Sequence, residues 1–309
     1  MVLSIFKLRE KKKKLTNFEE FLETTKTVTL INLKKFLKKN KENTVSFKEF
    51  LSFFVSILKE LTKQNFFTSL TNEEVFLFGR KETKKNQKKC LWLIINSNFG
   101  FCGDYNSFLN KMVKKEIKEN DQIIAFGSKV MQFFSKEQIV RLENEVLSEE
   151  EVFNRFNAVG LFLLEFFRKN DFDVCRIAYT DLSVNWRLKA KIIEFFPLRQ
   201  FFLKHEWEKI IDHKLAIIKE ENVEIMNYEP KKEIIFQNYL PLFLNSLLYY
   251  LFLRTQVVEN LLRKSNIENA LENTENLLKQ NNRFLNHLRQ QKITNEIIEI
   301  ISALEVILG

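Results

Sequence analysis

The chain has 309 residues, 45% of them hydrophobic, yet it contains only six glycines and three prolines, far below the usual ~7% and ~5%. That shortage argues against a β-sandwich, a propeller or a disordered linker, which need turn residues or low hydrophobicity, and favours long helices. The formal charge of +9 is uneven: residues 1–50 hold thirteen Lys or Arg against six Asp or Glu, most densely at Lys11 to Lys14, whereas residues 242–309 hold seven of each sign. A basic amino-terminal face points to an acidic partner, a nucleic acid or an anionic membrane, or is simply a solvated helix face. Cys90, Cys102 and Cys175 have no Cys-x-x-Cys spacing and leave an odd thiol. A disulfide scaffold or zinc site is therefore not expected, and a reducing compartment is. The apolar start, Met1 to Phe6, is too short for a secretory segment. The longest apolar run, Leu240 to Leu253, carries Pro241, Asn245 and Ser246 and falls short of the ~20 residues of a membrane span, so the chain reads as soluble.

In the amino-terminal flank, Leu15, Phe18, Leu22, Thr25, Thr29, Asn32 and Phe36 step by three or four, as one face of a helix does. The first glycine is Gly79 and the first proline Pro197, so nothing breaks this stretch. Next come alternating elements: strand-like Leu91 to Ile95, a glycine-containing turn, a helical stretch from Asn106, and a strand Gln122 to Phe126 ended by Gly127. Glu151 to Arg168 reads as a helix with Phe153, Phe156, Val159, Leu163 and Phe167 on one side. Strands at Asp173 to Thr180 and Leu188 to Phe196 complete the set. Strands alternating with helices predict a mostly parallel sheet with helices on its faces. Lys81 to Lys89 reads as a charged connector, and residues 204–222 as helical without a functional signal.

After Pro241 neither breaker returns until Gly309. Leu271, Leu278 and Leu285 alternate with Thr274, Asn281 and Leu288 at heptad spacing, a narrow, partly polar seam of the coiled-coil kind. As one helix, residues 242–308 would span ~100 Å at ~1.5 Å per residue, against a radius of gyration near ~19 Å for a compact chain of this size. Such a helix must project, and the first ~60 residues can pair with it antiparallel. Its end changes character: Ile293, Ile297, Ile298, Ile300, Ile301, Leu304, Ile307 and Leu308 are apolar around most of the circumference. That surface needs a socket on a partner. The expected architecture is an α/β fold plus a long α-helical coiled coil. An antiparallel pair made by helix 1–62 and helix 226–309 is attached to a small Rossmann-like three-layer α/β domain over 63–225.

Ile94 to Ser107 resembles the strand–turn–helix signature of the gamma subunit of F-type ATP synthases, close to Ser-Asp-Arg/Lys-Gly-Leu-Cys/Ala-Gly-x-Phe/Tyr-Asn. Ser97, Gly100, Cys102, Gly103, Tyr105 and Asn106 match, while Asn98 and Phe99 depart from the Asp and the basic residue. Gly100 and Gly103 are expected to permit a sharp turn and Asn106 to cap the next helix. Ile293-Thr294-Asn295-Glu296-Ile297-Ile298-Glu299 fits the family's Ile-Thr-x-Glu-x-x-Asp/Glu, with Ser302 and Glu305 departing after it. Asn286, Arg289 and Gln290 fall on its Asn-x-x-Arg-Gln. Glu259, Arg263, Ala270 and Asn273 match upstream, as do Tyr228-Glu229-Pro230 and Leu240-Pro241 at the helix entry. Thr25-x-x-Val28-Thr29 and Phe126-Gly127-Ser128-Lys129 with Phe133-Phe134 are weaker matches. The sequence thus looks like a divergent gamma subunit of the mycoplasma type.

The resemblance implies a non-catalytic rotor shaft, a coiled coil inside a hexamer of three catalytic and three non-catalytic ATPase subunits. An epsilon-like subunit and a membrane rotor ring are its further implied partners, at the cytoplasmic face of the cell membrane. It implies no cofactor, no metal and no nucleic acid. Arg263, Arg289, Gln290, Thr294 and Glu296 become the candidate contacts, facing the ring's loops or pairing within the shaft. A shaft of this type fits an ion-coupled synthase or an F-type-like ATPase driving other machinery, such as a motility or membrane-associated complex. Two readings of other classes compete: a nucleic-acid-binding protein using Lys11 to Lys14 and Lys81 to Lys89, and a Rossmann-like enzyme with helical arms. For the latter, Gly100-x-x-Gly103 lacks both common phosphate-loop patterns. His205, His213 and His287 lack metal-ligand spacing, and Asp171, Asp173 and Asp181 have no accompanying base or nucleophile.

Overall fold

The computed structural model describes residues 2–63, 89–97, 99–134, 139–140, 160–167, 169–170, 172–182, 187–198, 201, 229 and 231–308. Breaker-free sequence becomes unbroken helix at both ends. Helix α1 runs Val2–Lys63, and helix α4 runs Lys232–Leu308 as a single element of 77 residues. Pro241 lies inside α4 rather than at its start. Its missing N–H and ring normally break a helix, but here Phe236, Leu240, Phe243 and Leu244 on either side are all buried in one core and hold the turn in place. Contacts group the chain into two compact units, Met1–Asn32 with Leu262–Gly309, and Leu33–Leu261, so each long helix contributes to both.

The second unit is built on a five-stranded sheet. Its strands are β1 Cys90–Ile95, β2 Gln122–Phe126, β3 Ile139–Val140, β4 Val174–Leu182 and β5 Leu188–Phe196, in the order β3-β2-β1-β4-β5. Four strands are parallel, and β5 closes one edge antiparallel to β4. Strand β3, two residues long, has no counterpart in the sequence reading. Every residue of β1 is buried, as a central parallel strand with both faces covered requires. Leu91, Leu93 and Ile95 point into one core with Phe167, Ile177 and Phe195, while Trp92 and Ile94 point into the other with Leu109, Val113 and Ile123. The second core is roofed by α2, Tyr105–Glu116, and α3, Ser128–Met131. The first is covered by the helical residues 160–167, by Phe47, Leu51 and Phe54 of α1, and by Phe236 to Leu251 of α4. The three-layer α/β arrangement is thus present.

Aromatic rings seal the first core. Phe54 and Phe243 stack at 3.8 Å and 9°, Phe47 and Tyr250 at 4.2 Å and 13°. The amino-terminal ends of β1 and β2 are tied together by Asp121, which accepts hydrogen bonds from the Cys90 N–H, the Lys118 N–H and the Trp92 indole N–H at 2.9, 3.0 and 3.1 Å. Of the helix expected over Glu151 to Arg168, residues 151–159 and Arg168 lie outside the described residues, as do 64–88, Asn98 and 204–222.

Burial raises the thiol pKa of both Cys90 and Cys175, with the neighbouring Cys90 adding to the effect on Cys175. The folded chain keeps these thiols protonated, whereas an unfolded chain ionises them near pH ~8.5. Their contribution to stability is therefore intact below that pH and declines as pH rises above it. Thermal unfolding followed by circular dichroism should show a midpoint that falls above pH ~8.5 in the native chain, and falls less in Cys90→Ala/Cys175→Ala. Parallel curves for the two chains would contradict the assignment.

Candidate functional site

The first unit is an antiparallel helix pair. Asn281 of α4 donates from Nδ2 to the Leu8 carbonyl of α1 at 3.0 Å, and Lys26 approaches Glu268 at 4.0 Å, so rising numbers on one helix meet falling numbers on the other. Leu22, Ile267 and Leu271 form its core with Ala270. On α4 the expected seam is the buried one: Ile267, Leu271, Thr274, Asn281 and Leu285 are under a tenth exposed, with Leu278 and Leu288 half-buried between and after them. On α1, Leu8 and Leu15 are half-buried, and Leu22 and Thr29 are buried, at seven-residue steps. Phe18 departs from the expected face; it is exposed and stacks on Phe21 at 6.4 Å. The buried threonines cost little, because Thr29 and Thr274 donate to the carbonyls of Thr25 and Ala270 in their own helices.

The seam ends at Leu288. From Arg289 to Leu304 every side chain is exposed, including Ile293 at 55%, Ile297 at 51% and Ile300 at 61%. Arg289 and Gln290 open this stretch, and Thr294 and Glu296 lie among its isoleucines. Glu296 makes an exposed i,i+4 ion pair with Lys292 at 3.4 Å, an arrangement worth only a few tenths of a kcal/mol. Arg263 is elsewhere: it is 8% exposed, within the packed part of α4. The structure therefore brings four of the five candidates to one exposed stretch and separates the fifth.

At the carboxyl end of β1, Gly103 takes a left-handed conformation and Gly100 does not. Gly100 needs none of glycine's freedom, since a methyl group there would meet nothing within 4 Å. The left-handed conformations fall instead on Phe101 (φ 62°) and Gly103 (φ 56°). Asn106 is not the helix cap either. Asp104 holds that position, and the Asn106 Oδ1 accepts hydrogen bonds from the Ser97 N–H and hydroxyl at 3.2 and 2.9 Å. Asn96 and Asn110 bond side chain to side chain at 3.0 Å. Gly127 (φ 99°) is the position with no room: a Cβ would sit 2.4 Å from the Asn96 carbonyl oxygen. The polar groups of this corner bind one another.

An ATP synthase family model matches residues 7–307. The ATP synthase gamma chain of Mycoplasma mycoides subsp. mycoides is 32% identical over 290 residues, covering 93% of this chain and 92% of its own length. The chain belongs to the ATP synthase gamma-chain family. The gamma chain of Mycoplasma capricolum subsp. capricolum is 30% identical over 268 residues, covering 86% and 87%. The fold is also similar to a chain in a cryo-EM structure of the Euglena gracilis mitochondrial ATP synthase (OSCP/F1/c-ring). There the TM-score is 0.61 at 17% identity, with 99% of this chain and 95% of that chain covered.

Within this gamma-chain fold, sequence reasoning missed the role of Asp181. It is not half of a catalytic pair: it sits at the end of β4, buried, and accepts from Arg254 and Lys191. Asp173 accepts the Lys89 N–H at 2.9 Å, which ties the entry of β1 to that of β4. His287 is exposed beside Gln291, while Asp171, His205 and His213 lie outside the described residues. Arg254 gave no signal because a lone arginine in an apolar run looks like any exposed helix cation.

The seam between α1 and α4 and the exposed end of α4 differ in what a substitution removes. Leu22→Ala, which empties the seam core, should cost about 3 kcal/mol in urea unfolding. Arg289→Ala should cost less than about 0.5 kcal/mol. Equal effects would contradict the exposure pattern.

Proposed function

We propose that this gamma chain is the non-catalytic central shaft of an F-type rotary ATPase, held in a hexameric ring of three catalytic and three non-catalytic subunits. The observation that carries the reading is the change of surface along α4. Its seam stops at Leu288, yet the helix continues to Leu308, with Ile293, Ile297, Ile298, Ile300, Ile301 and Leu304 all more than half exposed. These side chains make one broad apolar face of the helix, with Lys292, Asn295, Glu296 and Glu299 on the other. The expectation of apolar surface around most of the circumference gives way to a single exposed apolar face, and such a face calls for a covering partner. The wall of a ring's bore supplies such cover to a projecting helix.

Arg289 and Gln290 stand just where the seam gives way to this surface. A guanidinium there can grip a carboxylate of the ring through two charge-assisted hydrogen bonds. Thr294 and Glu296 extend the same contact, while Arg263, packed within α4, serves the shaft's own assembly. The exposed lysines Lys11 to Lys14 suit acidic loops of the ring. Among the described residues no helix is long and apolar enough to cross a membrane. As a shaft, the chain sits peripherally at the cytoplasmic face of the cell membrane, reached through its partners. The Euglena assembly comprises OSCP, F1 and the c-ring; here a membrane rotor ring and an epsilon-like subunit would take the α/β end of the shaft.

The test is affinity purification of the full chain from its own cells, with co-purifying subunits identified by mass and ATPase activity measured. Two ring subunits and ATP hydrolysis are expected; a chain that purifies alone or with nucleic acid overturns the reading. Arg289→Ala/Gln290→Ala should lower turnover of the assembled ring by about tenfold, the loss of one bidentate contact, with assembly intact. Unchanged turnover removes that pair from the torque path. Truncation after Thr294 should release the chain from the ring in a salt wash that the full chain withstands; equal retention would defeat the argument from the exposed isoleucines.

A further inference from the structure

We propose that Arg254 is the positioning residue that fixes the α/β unit to the turning helix, a torsional clamp between α4 and the sheet. This inference rests on the shaft reading. A shaft driven at one end and loaded at the other is only as stiff as the joint between its helix and its base. Apolar packing makes most of that joint, and apolar packing is non-directional; it resists separation better than it resists slip. A directional bond across the interface is what would hold the angle.

Among the described residues, Arg254 makes such a bond. It lies four residues beyond Tyr250 on α4, and its Nη1 donates to the Tyr250 hydroxyl at 2.7 Å. Its Nε and Nη2 donate to Asp181 Oδ1 on β4 at 3.2 and 3.0 Å. Asp181 is held in turn: Oδ2 accepts from Lys191 on β5 at 2.7 Å, and Oδ1 accepts the Leu182 N–H at 2.9 Å. The Asp181 side chain is 3% exposed and that of Arg254 17%. Burial is the largest influence on Arg254 and works against its charge, but Tyr250 and Asp181 together overcome it and raise its pKa above the ordinary value. The cation is therefore permanent. Tyr250 stacks on Phe47 of α1 at 4.2 Å, so the chain of contacts runs from α1 through α4 into two strands.

The two ion pairs at Asp181 have different geometry, and that separates clamp from filler. Arg254–Asp181 crosses from helix to sheet. Lys191–Asp181 stays within the sheet, between paired strands. Removing either leaves a partly unpaired buried carboxylate and lowers stability; only the first should loosen the joint.

The experiment uses the assembled ring with the ring immobilised and a bead attached through Lys118→Cys on the α/β unit. The angular spread of the bead is recorded while the motor is stalled, and ATP hydrolysis is measured alongside. Arg254→Met should broaden that spread about twofold, having lost its charge-assisted bonds to the sheet, with hydrolysis by the ring retained. Lys191→Met should lower the melting temperature but leave the spread at the native width. Arg254→Lys, which keeps the charge and loses the fork, should fall between, and serves in place of Arg254→Met if that variant does not fold. Equal spreads in the Arg254 and Lys191 variants would overturn the clamp. Failure of the native chain to assemble with a ring at all would instead overturn the shaft reading beneath it.

Discussion

The stacked rings of Phe54 and Phe243, 3.8 Å apart, and of Phe47 and Tyr250 beside them are the contact on which the second unit depends. They join residues about two hundred positions apart in sequence. Each such pair contributes ~0.5–1.5 kcal/mol beyond the area it buries. The larger effect is geometric: with these rings in place, α1 and α4 present one continuous apolar surface on which Phe195, Ile177 and the strand β1 can close. Pro241 is tolerated in α4 because it lies within this sealed stretch, where packing on both sides substitutes for the hydrogen bond that proline removes.

Away from the sheet the same two helices are held by different forces. The seam of the first unit is narrow, and its polar members are mostly satisfied within their own helices, as Thr29 and Thr274 are. Asn281 is the exception, reaching across to the Leu8 carbonyl. A buried amide directed at the opposite backbone selects one pairing from several that leucines at seven-residue spacing would accept, at some cost in stability. Among the described residues, none covers the exposed side chains of Arg289 to Leu304.

Much of this was legible in the residues. Two breaker-free flanks and heptad spacing at 271–288 predicted the long helices, because a helix of that length has few competitors once glycine and proline are absent. Strands at 122–126 and 188–196 were readable from apolar runs. The β3 strand was not, since two residues carry no period. In the loop after β1, the resemblance names Gly100 and Gly103 as turn residues without saying which of them needs a positive φ. The left-handed conformation falls on Phe101 and Gly103, with Gly100 in an ordinary one. Which asparagine caps and which braces likewise depends on where the chain returns, and Asn106 braces Ser97. The ion cluster at Asp181 was invisible for the same reason. Its members are 63 to 73 positions from Arg254, and no local pattern joins them. Arg289, Gln290, Thr294 and Glu296 were placed by resemblance, and their common exposure is a consequence of where the heptad seam stops.

Gly127 has a consequence for how this sequence can evolve. The chain holds only six glycines in 309 residues. Gly100 stands in open space and tolerates a methyl group, so mutation pressure can take it. At Gly127 any side chain would drive into the Asn96 carbonyl, 2.4 Å from where a Cβ must go. The Asn96 and Ser97 carbonyls together with the positive φ thus reserve this position for glycine.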